Sequence, residues 1–402
     1  MKLGLLSSYI RALIGILHGT RAFGGPVQAV LNLTNRCNLR CIHCHFNSER
    51  VVTPLFPAVR KDLLGPGASE RNQRPERSAA YADPVVFNGF IQELLSMGTR
   101  RFEINACGEP FMHECALDFI EVIKTSGGYC TAFTNGTCFD KAAVDKLVHL
   151  GFDDLKVSIL AGTPDLYMKT HPGVSSSTFD RIEESLLYFA ERKAELNAAR
   201  PRVILVFVVF SVNRHGIGEF VDFARKVRAD GVLFSPFDNA GGDIGLDELA
   251  LSEEASQTVL KDLNRLQPQL QSWGLDNNIE QFKRIFANGL LDTSRFYRHI
   301  PCYFGWLTPA LFPDGNLYPC SRSFEPLGNI HERSFKKIWY GRAYRDFRRQ
   351  ALTLPQRKSP VDQCDCSRCV NHTANFRVYQ AVHPLRSRPS RLQHLFENEP
   401  EG

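Results

Sequence analysis

Short apolar runs and amphipathic stretches alternate through the first two thirds of the chain. VQAVLNL (27–33), RFEIN (101–105), YCTAF (129–133), DLKVSIL (154–160), VILVFVVFSV (203–212) and GVLFSPF (231–237) are rich in β-branched and aromatic residues. Several are apolar almost without interruption, the pattern of a strand covered on both faces. Helical periodicity fills the gaps. Asp83-Pro84 supplies an N-cap and a proline at the first helical position before VVFNGFIQELLSMG, which Gly98 ends; Asp140 opens KAAVDKLVHLG, and Phe179 to Lys193 forms a third helix. Strand–helix alternation repeated about six times predicts an α/β fold with a parallel sheet, open or curled into a barrel.

Two segments break the rhythm. Residues 47–82 are polar and charged, a length that suits either a lid or a disordered stretch. Residues 241–300 read as a helical connector, and the tail from 386 to 402 as weakly ordered. At the other end, residues 3–17 (LGLLSSYIRALIGIL) place apolar side chains around most of a helix too short to span a bilayer. Such a helix can dock on the protein body or lie on a membrane surface, and the second placement suits a lipid-linked substrate.

Composition adds little until the cysteines are counted. Of 402 residues, 43% are hydrophobic and 23% charged, with a net charge of +5. That is ordinary for a globular enzyme and too mild to suggest nucleic-acid binding. The N-terminus lacks a secretory cleavage pattern, so twelve cysteines point to a reducing, cytoplasmic setting and to metal or catalytic thiols rather than a disulfide scaffold.

Seven of these cysteines fall into two constellations. LNLTNRCNLRCIHC sets Cys37, Cys41 and Cys44 directly after the first strand. Three thiolates this close can wrap one face of an iron–sulfur cube and leave one iron open; a zinc site completed by His43 or His45 has suitable ligand types too. The second constellation is PCYFGWLTPALFPDGNLYPC followed by CDCSRC. Asp314-Gly315 is a hairpin signal that would bring Cys302 and Cys320 together, with Cys366 and Cys369 completing a four-thiolate cage. Cys364 is a substitute for Cys366, and zinc again competes with iron. Cys115, Cys130 and Cys138 read as small apolar fillers.

The Cys-x3-Cys-x2-Cys motif in this strand context resembles the radical S-adenosylmethionine (SAM) superfamily, and the C-terminal pattern resembles its SPASM extension or the truncated twitch form. The resemblance covers roughly residues 27–375. It implies a partial (β/α)6 barrel over 27–240 and a SPASM/twitch-like domain over 301–385, preceded by the helix that the apolar pattern places within 1–26. It also implies a [4Fe–4S] cluster on Cys37, Cys41 and Cys44 whose open iron binds SAM. That cluster reduces SAM to a 5′-deoxyadenosyl radical, drawing its electron from a donor such as flavodoxin or ferredoxin. An auxiliary [4Fe–4S] cluster on Cys302, Cys320, Cys366 and Cys369 follows in the same way.

Further motifs keep the family's order. Cys107-Gly108-Glu109-Pro110 resembles its GGEP turn, which binds the SAM amino group, with Cys107 where glycine is usual. Thr134-Asn135-Gly136 matches a TNG turn. Ser158 and Asn213 stand where SAM contacts occur, a turn-forming asparagine being the other reading of Asn213, and the backbone of His43 stands where the adenine is touched. Lys169 and His171 replace the usual arginine. One auxiliary cluster suggests oxidation of a small or carrier-linked metabolite such as a sugar, aminocyclitol or lipid-linked glycan. The alternatives are a peptide or protein maturase, in which Cys107 is a candidate hydrogen-atom donor for epimerisation, and a zinc-binding interaction scaffold.

Overall fold

The computed structural model describes residues 2–51, 81–105, 107–238, 245–287, 294–357, 361, 364, 366, 369 and 371–384. Most of the 47–82 segment and the whole 386–402 tail lie outside the described residues.

Six parallel strands form the centre of the sheet: β1 (Gln28–Asn32), β2 (Arg101–Asn105), β3 (Tyr129–Thr134), β4 (Asp154–Ser158), β5 (Arg202–Val209) and β6 (Gly231–Pro236). Before β1 lies α1 (Lys2–His18), and the crossovers carry α2 (Pro84–Ser96), α3 (Ala116–Thr125), α4 (Lys141–His149), α5 (Pro164–Thr170), α6 (Ser176–Glu195) and α7 (Ile217–Lys226). The anticipated helix starts form as read. Asp83 accepts hydrogen bonds from the Val85 and Val86 amides, and Asp140 from the Ala143 amide. The inward faces of these helices, such as Phe87, Phe90, Ile91 and Leu94 of α2, share one core with the sheet. The chain is thus an α/β fold on a parallel sheet, as the strand–helix alternation predicts, with a C-terminal extension.

The sheet continues past both ends of this unit. After β6 come α8 (Glu253–Ser272), a two-residue β7 (Asp276–Asn277) and α9 (Ile279–Ala287), and β7 pairs in parallel with β6. The stretch read as a helical connector therefore also lengthens the sheet. On the opposite edge, α10 (Ser294–Tyr297) and α11 (Phe304–Leu307) precede the Asp314-Gly315 hairpin, built of β8 (Ala310–Leu311) and β9 (Asn316–Tyr318). β8 pairs in parallel with β1, and β10 (Gly328–Asn329) pairs antiparallel with β9. The order is β10-β9-β8-β1-β2-β3-β4-β5-β6-β7, so the C-terminal hairpin belongs to the barrel's own sheet.

Three helices close the C-terminal region: α12 (Phe335–Trp339), α13 (Arg342–Leu352) and α14 (His372–Val382). Glu93 of α2 accepts from the Phe335 and Lys336 amides at 2.8 and 3.0 Å, so a barrel helix satisfies the free N–H groups that start α12. A second core joins α1 to this region through Ala12, Ile16, Trp306, Phe347 and Tyr379, and Trp306 Nε1 donates to Arg21 O at 2.8 Å.

Candidate iron–sulfur and SAM site

Strand β1 runs into the first cysteine loop at the C-terminal end of the sheet, where ligands of parallel α/β folds collect. Cys44 N donates to Cys41 O at 3.0 Å, and the Asn47 amide donates to Cys44 Sγ at 3.3 Å. Leu39 N and Asn135 Nδ2 approach Cys37 Sγ at 3.4 and 3.8 Å. Burial pushes the Cys37 thiol up to about 11, helped by the negative charge of Glu109 and Cys44. Cys41 is also pushed well above its ordinary value, first by burial and then by Cys44 and Cys37. Buried thiols whose pKa is raised in this way become thiolates only around a cation, and soft thiolates suit iron. Two buried polar atoms beside them have no partner within the protein, Tyr167 Oη and His43 Nδ1. The donor set and the unsatisfied polar atoms fit a [4Fe–4S] cluster with an organic ligand on its open iron. Among the described residues no three Cys, His, Asp or Glu side chains converge as ligands of a single ion.

Glu109 ties this loop to two strands. Its amide donates to Arg36 O at 2.7 Å. Its carboxylate accepts from Thr134 Oγ1 and the Asn135 amide, both at 2.7 Å, and from the Phe111 amide at 3.2 Å. Burial raises this carboxyl to about 7 against those three donors. Asn135 in turn donates to Asn38 Oδ1 at 2.9 Å. Gly108 is needed for a reason the motif does not state: a Cβ there would stand 2.0 Å from Arg36 O. The close approach is chain to chain, between the GGEP-like turn and the cysteine loop. Cys107 is buried, and its carbonyl accepts from Asn47 Nδ2 at 2.8 Å.

Over the ends of β4 to β6 sits a small apolar cluster of Ile42, Leu160, Phe210, Phe237, Leu246 and Leu249. His43 stacks on Phe210 with ring centroids 5.4 Å apart, and burial lowers its pKa to about 3, so the ring is neutral. Ser158 is half-buried at the end of β4. Asn213 is fully buried and its amide is spent on the backbone, accepting from Phe210 N and donating to Val208 O and Leu160 O. Its place is that of a turn-forming asparagine closing β5. Lys169 is exposed, whereas His171 is buried, its Nδ1 beside Thr170 Oγ1 and Tyr167 O.

The second cysteine group assembles where the hairpin leaves the sheet. Cys302, Cys320, Cys366 and Cys369 lie within electrostatic range of one another, and Cys364 joins them with its sulfur 3.7 Å from Cys320 Sγ. Burial drives Cys302 upward, followed by the charges of Cys366 and Cys369. Asn375 of α14 straps the Cys302 segment, accepting from Tyr303 N at 2.7 Å and donating to Pro301 O at 2.6 Å. Tyr297 Oη donates to Cys369 Sγ at 3.0 Å. The two cysteine groups are linked across the site: His45 Nε2 lies 2.7 Å from Asp238 O, and Asp238 Oδ2 pairs with Arg322 at 2.9 Å, two residues beyond Cys320. Tyr167, Glu109 as a clamp, Asn375, Tyr297 and Arg322 carry no local sequence signal, because each acts across elements far apart in the chain.

The radical SAM superfamily model matches residues 31–224, and the iron–sulfur cluster-binding domain called SPASM matches residues 302–370. The chain belongs to the radical SAM superfamily. It is therefore an enzyme, with a SAM-binding [4Fe–4S] cluster and a SPASM domain that implies auxiliary iron–sulfur binding. Among similar proteins is the antilisterial bacteriocin subtilosin biosynthesis protein AlbA of Bacillus subtilis, 24% identical over 327 residues, or 80% of this chain and 61% of that protein. The chain thus spans about three fifths of that relative's length. A probable GTP 3′,8-cyclase of Methanocaldococcus jannaschii is 22% identical over 73% of this chain and 88% of its own. The fold is shared with Streptococcus suis SuiB. The SAM-bound crystal structure aligns at a TM-score of 0.58 with 16% identity, over 90% of this chain and 81% of that one. SuiB bound to the precursor peptide SuiA aligns at 0.57 with 15% identity, over 90% of this chain and 80% of that one.

Proposed function

We propose that this radical SAM enzyme oxidises a peptide or protein segment. The observation that carries the substrate class is its similarity, over 80% or more of the chain, to a bacteriocin biosynthesis protein and to a fold solved with a precursor peptide. The sugar, aminocyclitol or lipid-linked glycan expected from the sequence is the second reading, and the similarity to a GTP cyclase favours it.

Cys37, Cys41 and Cys44 hold the SAM-binding cluster, which when bound supplies the electron that splits SAM into methionine and a 5′-deoxyadenosyl radical. The chain's own residues prepare the ground. Glu109, fixed by three donors, keeps the turns after β2 and β3 against the cysteine loop, so that backbone groups near Gly108 face the SAM amino group. Neutral His43 and the apolar cluster around Phe210 suit the adenine and exclude water from it. Ser158 is the candidate contact to the SAM ribose or carboxylate, while the Asn213 side chain is taken up by backbone bonds. Cys302, Cys320, Cys366 and Cys369 form one auxiliary cage. Its full complement of thiolates leaves no position for substrate and suits transfer of the substrate's electron, with flavodoxin or ferredoxin as external donor. The working compartment on this reading is the reducing cytoplasm.

The test divides a cell extract by dialysis into retained macromolecules and diffusible metabolites, and adds each to the reduced protein with SAM. We expect 5′-deoxyadenosine to rise with the retained fraction and protease treatment to abolish the rise. Stimulation by the diffusible fraction alone, or protease-resistant stimulation by the retained one, would overturn the peptide assignment. A product of unchanged mass that gains deuterium in heavy water would replace oxidation by epimerisation, with Cys107 as hydrogen donor.

A further inference from the structure

Helix α1 turns an apolar face to solvent where a surface helix ordinarily carries polar residues. Its inward face is already used. Ser8 is buried and donates to Gly98 O at 2.6 Å, Ala12 and Ile16 belong to the second core, and a Cβ on Gly15 would stand 2.7 Å from the Trp306 ring. The outward face carries Leu6, Ile10, Ile14 and Leu17, spaced four, four and three residues apart so that they line one stripe. Leu6 is 56% exposed and Leu17 74%. Of ten exposed large apolar side chains among the described residues, six fall between positions 6 and 23, with Tyr9 and Phe23 beside the stripe. A concentration of this kind marks an interaction surface, whereas scattered exposed leucines do not.

Charge identifies the occupant. The chain has no Asp or Glu before Glu49, and the ionisable residues of α1 and the turn after it are Lys2, Tyr9, Arg11, His18 and Arg21. Two copies of this chain meeting through the stripe would bring the fixed charges of Lys2 and Arg21 together with no acidic residue on either helix to pair with them, while Arg11 is turned inward against Gly24 and Gly98. An anionic lipid surface takes both features, the stripe among the acyl chains and the cations among the headgroups. With 17 residues α1 can lie in the headgroup layer, and no described helix is long and apolar enough to cross a membrane.

We propose that α1 holds the enzyme on an anionic membrane surface through Leu6, Ile10, Ile14 and Leu17. The contact bears on the end of the sheet opposite the cysteine loop, because α1 packs beside Gly98 and Arg100, just before β2 begins. The radical site then faces the aqueous side. This attachment is independent of the substrate reading.

Flotation of the full chain with phosphatidylcholine vesicles, with and without phosphatidylglycerol, tests it. We expect the protein to float with the anionic vesicles and to bind neutral ones at least roughly tenfold more weakly. The combined variant Leu6→Gln, Ile10→Gln and Leu17→Gln, checked for unchanged circular dichroism and iron content, should lose at least roughly tenfold in binding. Failure of the wild-type chain to bind anionic vesicles, or equal binding by the variant, would overturn the proposal. So would a light-scattering dimer that the variant dissolves without any vesicle binding, since the second copy would then be the occupant.

Discussion

Gly108→Ala adds one methyl group where two loops meet, and the structure gives its cost. The new Cβ would stand 2.0 Å from Arg36 O and 2.5 Å from Arg36 C. Non-bonded carbon contacts sit at about 3.5–4.0 Å, so the loops must separate by more than about 1 Å. Arg36 cannot yield freely: its amide donates to Thr34 Oγ1 at 3.0 Å and its carbonyl accepts from Glu109 N at 2.7 Å. Losing the second bond costs about 1 kcal/mol, and overpacking adds about 1–3 kcal/mol, for about 2–4 kcal/mol altogether. The damage is local, because Arg36 immediately precedes Cys37. We therefore expect the reconstituted variant to lose SAM cleavage and part of its first-cluster iron, with a smaller effect on global melting. Gly89→Ala is the matched control. Gly89 is exposed in the middle of α2 with nothing within 4 Å of a new Cβ. Alanine there should stabilise by about 0.5–1 kcal/mol and leave iron untouched. Full iron and wild-type 5′-deoxyadenosine formation in Gly108→Ala would refute the argument that loop contact requires this glycine.

Tyr297→Phe removes the hydroxyl that donates to Cys369 Sγ at 3.0 Å. Hydrogen bonds to cluster sulfurs raise the reduction potential, so an electron-paramagnetic-resonance titration should find the auxiliary cluster shifted to more negative potential and the SAM-binding cluster unchanged. A shift in both, or in neither, contradicts the placement. Cys366→Ala should release the auxiliary iron while Cys364→Ala retains it; the reverse result assigns the fourth ligand to Cys364, whose sulfur lies 3.7 Å from Cys320 Sγ.

The parallel strands and their caps were readable because their signals are local. Apolar runs mark covered strands, and Asp83-Pro84 and Asp140 name their helix starts within three residues. Cys37, Cys41 and Cys44 were readable as a set because their spacing alone puts them on one loop. β7 escaped notice because two residues are too few for any periodicity; Asp314-Gly315 marked the β8–β9 hairpin, but the pairing of β8 with β1, like that of β7 with β6, is a long-range event. Glu109 stood out as part of a SAM-binding motif, yet its carboxylate serves residues 25 and 26 positions away along the chain. Asn213 shows the converse: its position at the end of β5 invited a ligand role, and three backbone bonds engage its side chain. Cys364 looked surplus because five cysteines exceed one cube, and only the folded chain brings its sulfur beside Cys320.

The parallel pairing of β8 with β1 bears on how this enzyme can be cut and recombined. Val30 N donates to Pro309 O, and Asn32 Nδ2 to Leu311 O, both at 3.0 Å. A chain shortened before residue 304 would therefore lose more than its auxiliary cysteines. It would strip the cover from β1 and leave a raw edge with unpaired amides and carbonyls, a template for strand addition by neighbouring molecules. Such a fragment would precipitate instead of serving as a minimal SAM-cleaving module. Chimaeras between relatives face the same constraint: the seam must fall so that β1 and the β8–β9 hairpin come from one parent.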